Sequence, residues 1–526
     1  MSTEQGSAPK KDLSRQGGTV ASMVMLSRIF GFVRDVVLSY FFGASYVADA
    51  FFVAFRIPNF FRRLFAEGAF SQAFVPVLAR FKNQPVVELR RFVGHIFGNL
   101  AAALLVVVVL GWLGADYLVL LFAPGFHDDP QRYVLAVDLV RITLPYLGLI
   151  SLVAFASAIL NAHDRFAVPA FTPVLLNLCL ISAALIGIQM SAVEGATMDS
   201  AVMVLGWGVL LAGVLQLLFQ LPSLARLSLL QPPRPNVSDP GVREVGRLLV
   251  PAVFAASVAQ INTLIDTILA STLITGSISW LYYSDRLMEL PVGLVAVSLG
   301  TILLPNLSSL AAKGDAKRFE QTLDWGIRMA LMLTIPAAAA LYLLSLPIFA
   351  TIFMHGALTP IDANMASVSL QAYSVGLIGW VLVKVLAPGY FAHKDTNTPF
   401  KIGVAAVGLN IAGNLALFSW MGHVGLALAT SASGLLNAGL LYRGLRARGR
   451  HQPGRPLLRT ALRTLGAALL MVAVLLWLTP HDAYWISAST GERAASLTGL
   501  VAAGAGTYAL CMLALGVRPS EFRHRL

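Results

Sequence analysis

ASMVMLSRIFGFVRDVVLSYFFG, residues 21–43, is long enough as a helix to cross a bilayer at about 1.5 Å of rise per residue, yet it holds Arg28, Arg34 and Asp35. A charge at the bilayer centre costs roughly 2.5–3.5 kcal/mol even on the mildest insertion scale. The stretch therefore reads as a membrane helix with one face turned to a partner or a wet cavity. Arg28 and Asp35 are seven apart and share a face. Arg34 points elsewhere unless the helix bends, and Gly31 permits a bend.

The apolar character extends over the whole chain. Of 526 residues, 57% are hydrophobic and only 12% charged, against about 25% charged in a soluble domain. About fourteen apolar runs start near residues 19, 47, 93, 133, 168, 200, 247, 280, 321, 363, 401, 424, 461 and 495. They are separated by Pro, Gly and charge clusters such as QPPRPNVSDPG (231–241) and RARGRHQPGR (446–455). The first 18 residues are polar and lack the apolar core of a cleavable signal, so the first span is expected to act as the targeting element. Cys179 and Cys511 sit in apolar runs and read as small core residues.

Orientation follows from Lys and Arg in alternate connections. With the N-terminus in the cytoplasm, the inside segments carry 27 basic residues and the outside connections only Arg132 and Arg493. Both termini are then cytoplasmic. The net charge of +12 reflects this bias rather than a nucleic-acid partner.

A repeat with a period near 230 is visible. Pro58 and Pro76 recur as Pro291 and Pro305, KNQPVVELRRF (82–92) as KGDAKRFEQTL (313–323), and NAHDRFAVP (161–169) as FAHKDTNTP (391–399). Both copies of the last motif fall after an even number of spans, so the repeats run parallel. Such repeats commonly form two lobes with a substrate site at mid-membrane.

Nine basic residues lie within the expected helices. The second span carries Asp49, Arg56, Arg62 and Arg63 around Pro58, and the eighth opens with SDRLMELP, where Arg286 and Glu289 are three apart and can pair. One such pair would suit packing as well as function. A cluster rich in arginine over three helices favours function. Guanidinium is a permanently charged planar fork matched to phosphate. Arg28 and Arg62 fall in the cytoplasmic half and Arg34 and Arg286 nearer the periplasmic half, a spacing in depth that suits an anionic headgroup travelling through the membrane.

FFVAFRIPNFFRRLFAEGAFSQAFVPVL (51–78), after SRIFGFVRD (27–35), and SDRLMELPVGLVAVSLGTILLP (284–305) resemble the MurJ/MviN family of lipid II flippases, within the multidrug/oligosaccharidyl-lipid/polysaccharide exporter superfamily. The resemblance covers roughly residues 18–520. It implies an all-α polytopic protein of the bacterial cytoplasmic (inner) membrane, with two six-helix lobes and two further C-terminal helices. It implies a flippase that carries undecaprenyl-pyrophosphate-linked disaccharide-pentapeptide to the outer leaflet for peptidoglycan synthesis. It also implies that Arg28, Arg34, Arg62 and Arg286 contact substrate, with Asp35, Asp49 and Glu289 as counter-charges of the cavity. Departures are a longer polar N-terminus and Arg56 where relatives carry lysine. The expected division is a disordered extension 1–18, a first lobe 19–222, a cytoplasmic linker 223–246, a second lobe 247–448, C-terminal helices 449–517 and a basic tail 518–526. LGAALLMVAVLLWL (465–478) and AASLTGLVAAGAGTYALCMLALG (494–516) read as ordinary lipid-facing spans, and the resemblance makes them a groove for the isoprenoid tail.

Asp266 in AQINTLIDTILA, with Asn410, Asn414 and Thr430, offers oxygen ligands for a hard cation. The resemblance hints at sodium, although Asn414 stands where an acid would strengthen the site. Hydrogen bonds between helices are the alternative. Lys384 is open between an ion pair and a substrate contact. No cofactor is expected otherwise: the chain has no GxxxxGK[ST] loop, no metal-ligand cluster and no catalytic constellation, and His163, His393 and His451 fall in connections and read as solvated. A functional monomer among membrane lipids is expected. The competing readings are a sibling exporter of another polyprenyl-linked oligosaccharide or of drugs, and, more remotely, a membrane glycosyltransferase, which would want a larger extramembrane loop.

Overall fold

Helix starts are set by proline and by polar caps. Pro130, Pro145 and Pro360 open helices, and reciprocal caps join Thr197 with Ser200, Thr359 with Asp362 and Ser489 with Glu492. The computed structural model describes residues 10–191, 197–452 and 454–517, and no strand occurs among them. The chain begins with α1 (Lys10–Phe42), α2 (Tyr46–Phe61), a π-helical stretch (Arg62–Phe70), α3 (Ser71–Lys82), α4 (Val86–Leu113) and α5 (Ala115–Phe122). A short 3-10 turn (Pro124–Asp128) leads to α6 (Pro130–Thr143), α7 (Pro145–Ala162), α8 (Ala167–Ser191), α9 (Met198–Arg226) and α10 (Pro240–Ser271). Then come α11 (Ser277–Ala312), α12 (Ala316–Leu343), α13 (Ser345–Ile352), α14 (Pro360–Phe391) and α15 (Asn397–Ala447). The C-terminal part is α16 (Arg455–Leu478), α17 (Asp482–Ser487) and α18 (Thr490–Ala514).

Each of the fourteen expected starts falls in one of these helices. Those near 401 and 424 share α15, which breaks at Gly422 (φ 54°, ψ −134°), a backbone state open to glycine. Among the described residues nine helices are long and apolar enough to cross a membrane, α15 counted once. The bent pair Ser277–Val295 and Ser298–Ala312 would make a tenth. The extension differs from expectation. Residues 1–9 lie outside the described residues, but α1 already begins at Lys10. Pro9 precedes the helix, and Lys, Leu, Arg and Gln that follow are good helix formers. The tail 518–526 also lies outside the described residues.

The repeat is written into the backbone at a spacing of 230 positions. α4 breaks before α5 at Gly114 and α12 before α13 at Leu344, and α6 and α14 open at Pro130 and Pro360. Asp164 and Lys394, past the ends of α7 and α14, share a φ of 59°. Each closes its helix alike: Arg165 N–H donates to Leu160 O (2.9 Å) and Asp395 N–H to Tyr390 O (3.1 Å). The left-handed residue is thus a helix stop used twice.

The chain divides into two compact units: Met1–Phe42 with Tyr46–Ile261, and Gly43–Ser45 with Asn262–Leu526. The boundary falls inside α10. In the first unit an aromatic ladder follows the π-helical stretch. Phe70 stacks on Phe74, Phe74 on Phe92 and Phe81 on Phe92, the last with centroids 4.1 Å apart. The connection after α9 lies along α4. Arg234 N–H donates to Gly94 O (3.1 Å), His95 Nδ1 meets Asp239 Oδ2 at 2.8 Å, and a Cβ on Gly98 would clash with the backbone of Arg234 and Pro235. In the second unit α14 and α15 approach where a Cβ on Gly379 would lie 2.6 Å from Gly434 C, the close backbone contact that small residues allow in membranes. Tyr508 of α18 donates to Met332 O of α12 (2.7 Å), which fastens the C-terminal pair to this unit.

Candidate functional site

Arg34 is the most buried of the four arginines, 5% exposed. It does not point away from Asp35. Its Nε and Nη2 donate to Asp35 Oδ1 at 2.9 and 2.6 Å, and its Nη1 donates to Asn177 Oδ1 at 3.0 Å. The helical wheel put Asp35 on the face of Arg28 and Arg34 elsewhere, and it ignored the reach of a long side chain to the next residue on its own helix. Asn177 on α8 completes the set by donating to Ser27 O (3.1 Å). Gly31 is where Asn177 approaches α1: a Cβ there would lie 3.6 Å from Asn177 Nδ2. Arg28 is exposed and makes no ion pair or hydrogen bond among the described residues.

Arg62 opens the π-helical stretch, half-buried, and donates from Nε to Asn59 Oδ1 (3.1 Å). Single π-helical turns inside helices recur at functional sites because they re-aim side chains. Asp49 departs from its expected role as a counter-charge of the cavity. It is 0% exposed and paired with Arg132 (2.9 Å), whose guanidinium lies 3.8 Å from the Phe126 ring centroid. The physical reason is position: Asp49 sits in the first turn of α2, where the start of α6 brings a basic partner against it.

The second unit holds Arg286. It pairs with Glu289 (2.6 Å), as the spacing of three predicts, and Nη2 donates to Tyr282 Oη (3.3 Å). Its side chain is 28% exposed and that of Glu289 50%. Glu289 also lines a cavity of about 370 Å³ with Asp285, Asn262, Trp380, Lys384 and Asn437.

The four oxygen-bearing residues of the candidate cation site converge in one chain of contacts. Asn414 Nδ2 donates to Asp266 Oδ1 (2.6 Å) and to Asn410 Oδ1 (2.8 Å), and Asn410 Nδ2 donates to Thr430 Oγ1 (3.0 Å). Asn410 and Asn414 are fully buried, and Asn414 Oδ1 has no hydrogen-bond partner. An orphaned carboxamide oxygen beside a carboxylate fits a small cation: turning that amide would set three oxygens around the point its N–H groups now fill.

Several residues escaped the sequence reading. His451 is not solvated but 0% exposed, 3.5 Å from Asp324 and against Tyr442. His163 and His393 meet the carbonyls of Ile159 and Gly389, four residues back. Cys179 and Cys511 are free and half-buried rather than core. Arg132 and Arg493, both assigned to outside connections, are buried, and Arg493 donates to Ala350 O (3.1 Å) and Ile486 O (2.8 Å). Only Asn177 carried a legible signal, as an amide in an apolar run.

A twice-repeated set of apolar helices with charges held inside it defines a multi-pass helical membrane transporter. The fold agrees: the chain superposes on an inward-facing MATE-family multidrug transporter of the MOP superfamily with a TM-score of 0.62 at 14% identity, covering 82% of this chain and 98% of that one. The family model described as lipid II flippase MurJ matches residues 38–492. The chain belongs to the MurJ lipid II flippase family. A probable lipid II flippase MurJ of Vibrio cholerae is 43% identical over 98% of both chains, and the lipid II flippase MurJ of Burkholderia cenocepacia is 40% identical over 96% of this chain and 98% of that one. A structure of lipid II flippase MurJ in an inward closed conformation matches with a TM-score of 0.77 at 28% identity, covering 94% and 97%.

Proposed function

We propose that the protein moves lipid II from the inner to the outer leaflet of the bacterial cytoplasmic membrane by alternating access. The observation that carries the reading is Arg34, a guanidinium inside a membrane helix and compensated by Asp35 and Asn177, on a chain 40% identical to a named lipid II flippase. A pyrophosphate can replace that carboxylate at the planar fork. Arg28, Arg62 and Arg286 serve the same headgroup at other depths. Both termini face the cytoplasm, the protein works as a monomer among membrane lipids, and α16 and α18 guide the isoprenoid tail. The protein transports and makes no covalent change.

Sodium at Asp266, Asn410, Asn414 and Thr430 belongs to the same proposal. Asn414 Nδ2 donates to Asp266 Oδ1, and the buried Asn414 Oδ1, without a hydrogen-bond partner, is a further oxygen for a cation beside that carboxylate. Sodium-dependent thermal stabilisation of the purified protein, lost in Asp266→Ala, is the expected result, and an equal response in both proteins would remove the ion site.

The test of transport is depletion and reconstitution. Depleting the protein should leave lipid II accumulating in the inner leaflet, and vesicles holding only the purified protein should export it. Vesicles that export other polyprenyl-linked oligosaccharides but not lipid II would replace this reading with that of a sibling exporter.

A further inference from the structure

The cavity of the second unit is lined from three directions by charged and polar groups. Asp285 and Glu289 come from α11, Trp380 and Lys384 from α14, and Thr430, Ser433 and Asn437 from the later part of α15. Lys384 lies seven residues before the end of α14, is exposed, and makes no ion pair or hydrogen bond among the described residues. Asn262 Oδ1 is buried without a hydrogen-bond partner. Polar groups inside a membrane protein are costly unless they face a partner or a cavity with polar contents. Two carboxylates, one ammonium, two carboxamides and an indole are a recognition set rather than a packing set.

The chemistry differs from that of the arginines. Carboxylates in the wall repel a phosphate and attract an amine, while Lys384 answers a carboxylate. A volume of about 370 Å³ lies at the lower end for small-ligand sites and holds one or two amino-acid units rather than a disaccharide. We infer that this cavity is a peptide subsite: it takes a segment of the substrate's pentapeptide that carries a free amine and a carboxylate, with Asp285 and Glu289 on the amine and Lys384 on the carboxylate. The inference rests on the reading of lipid II as substrate and adds a second point of attachment to the headgroup. Thr430 belongs both to this wall and to the Asp266 set. Peptide in the cavity and a cation at Asp266 therefore share one hydroxyl, and each alters the site of the other.

The test compares three probes on the purified full-length protein: polyprenyl-pyrophosphate disaccharide with the pentapeptide, with the pentapeptide N-acetylated at its free amine, and without peptide. The intact probe should bind about tenfold more tightly than the other two, as one charge-assisted contact implies. In Asp285→Asn/Lys384→Met the intact probe should fall to the affinity of the peptide-free one, which itself should not change. Asn437→Leu, which carries no charge into the fold, should weaken the intact probe alone and covers the case in which the double variant misfolds. Equal binding of all three probes to the parent protein overturns the subsite while leaving the flippase intact. Binding of none of them instead overturns the proposed function.

Discussion

Asp49 separates two readings of a buried carboxylate, and Arg132 is the means to do so. As a counter-charge of the substrate cavity, Asp49 could be neutralised with loss of transport but little loss of stability. The structure instead seals it: Asp49 is 0% and the Arg132 side chain 4% exposed, with the two groups 2.9 Å apart. Removing one partner of a buried pair leaves an uncompensated charge and costs about 3–5 kcal/mol, whereas replacing both by groups of similar volume is often near neutral. Asp49→Asn should therefore lower the thermal unfolding midpoint and the abundance of the protein, and Arg132→Met alone should do the same. Asp49→Asn combined with Arg132→Met should recover at least half of the loss, and lipid II export per folded molecule should stay near that of the parent. Unfolding followed by size-exclusion chromatography, with export measured in vesicles, gives both numbers. An Asp49→Asn protein as stable as the parent but unable to export would refute the reasoning.

Arg34→Ala should abolish complementation of a depleted strain while the protein is still made, and Asn177→Leu should reduce it less, since Asn177 only orients the guanidinium; equal and full activity in both would exclude Arg34 from the path. Arg286→Ala should harm export more than Glu289→Gln, because Glu289 shares the peptide amine with Asp285 whereas Arg286 serves the pyrophosphate as a permanent cation; equal tolerance contradicts this. Burial alone would raise the Asp239 carboxyl, but the hydrogen bond with His95 and those from the N–H groups of Val242 and Gly241 outweigh it and hold it below the usual 3.8. That contribution is complete above 3.8 and is lost as pH falls through the lower folded value, so proteolysis within 231–241 should accelerate only in that acid range, and a rate independent of pH there would show the connection free of α4. Two charges moving outward gain about 4–5 kcal/mol per 100 mV, so collapsing the potential in vesicles should slow export, and unchanged export would leave ion coupling or downstream consumption as the source of direction.

Periodicity and spacing made the spans and the repeat legible because both are local properties. NAHDRFAVP and FAHKDTNTP already marked the two helix stops that the structure closes with the same left-handed turn at Asp164 and Lys394. The arginines inside the helices were legible for the same reason: a charge inside an apolar run stands out without knowledge of its neighbours. Partners were not legible. Arg132 reaches Asp49 across 83 positions and Asn177 reaches Arg34 across 143, and nothing in a helical wheel encodes contacts between helices. The count of basic residues treats the charges of connections as solvated. Its two exceptions, Arg132 and Arg493, are buried and bonded to backbone or carboxylate, so neither is a solvated loop charge of the kind that the rule counts.

Burial also sorts the ion pairs by what they can do. Asp49 and Arg132 are both buried and pair between α2 and α6. Arg286 with Glu289 is open enough for exchange, and Arg28 is exposed without a partner among the described residues. Arg34 lies between these cases. It is nearly buried, but its carboxylate is the next residue on the same helix, so the pair can open by a side-chain rotation with no movement of helices. A pyrophosphate with about two charges, offered the same planar fork, competes against one carboxylate and one amide oxygen rather than against a packed interface. Arg34 and Arg286 are thus compensated by neighbours that can give way. For a pyrophosphate held as proposed, that property lets Arg34 and Arg286 exchange their own carboxylates for the ligand and take them back afterwards, and the buried Asp49–Arg132 pair lacks it.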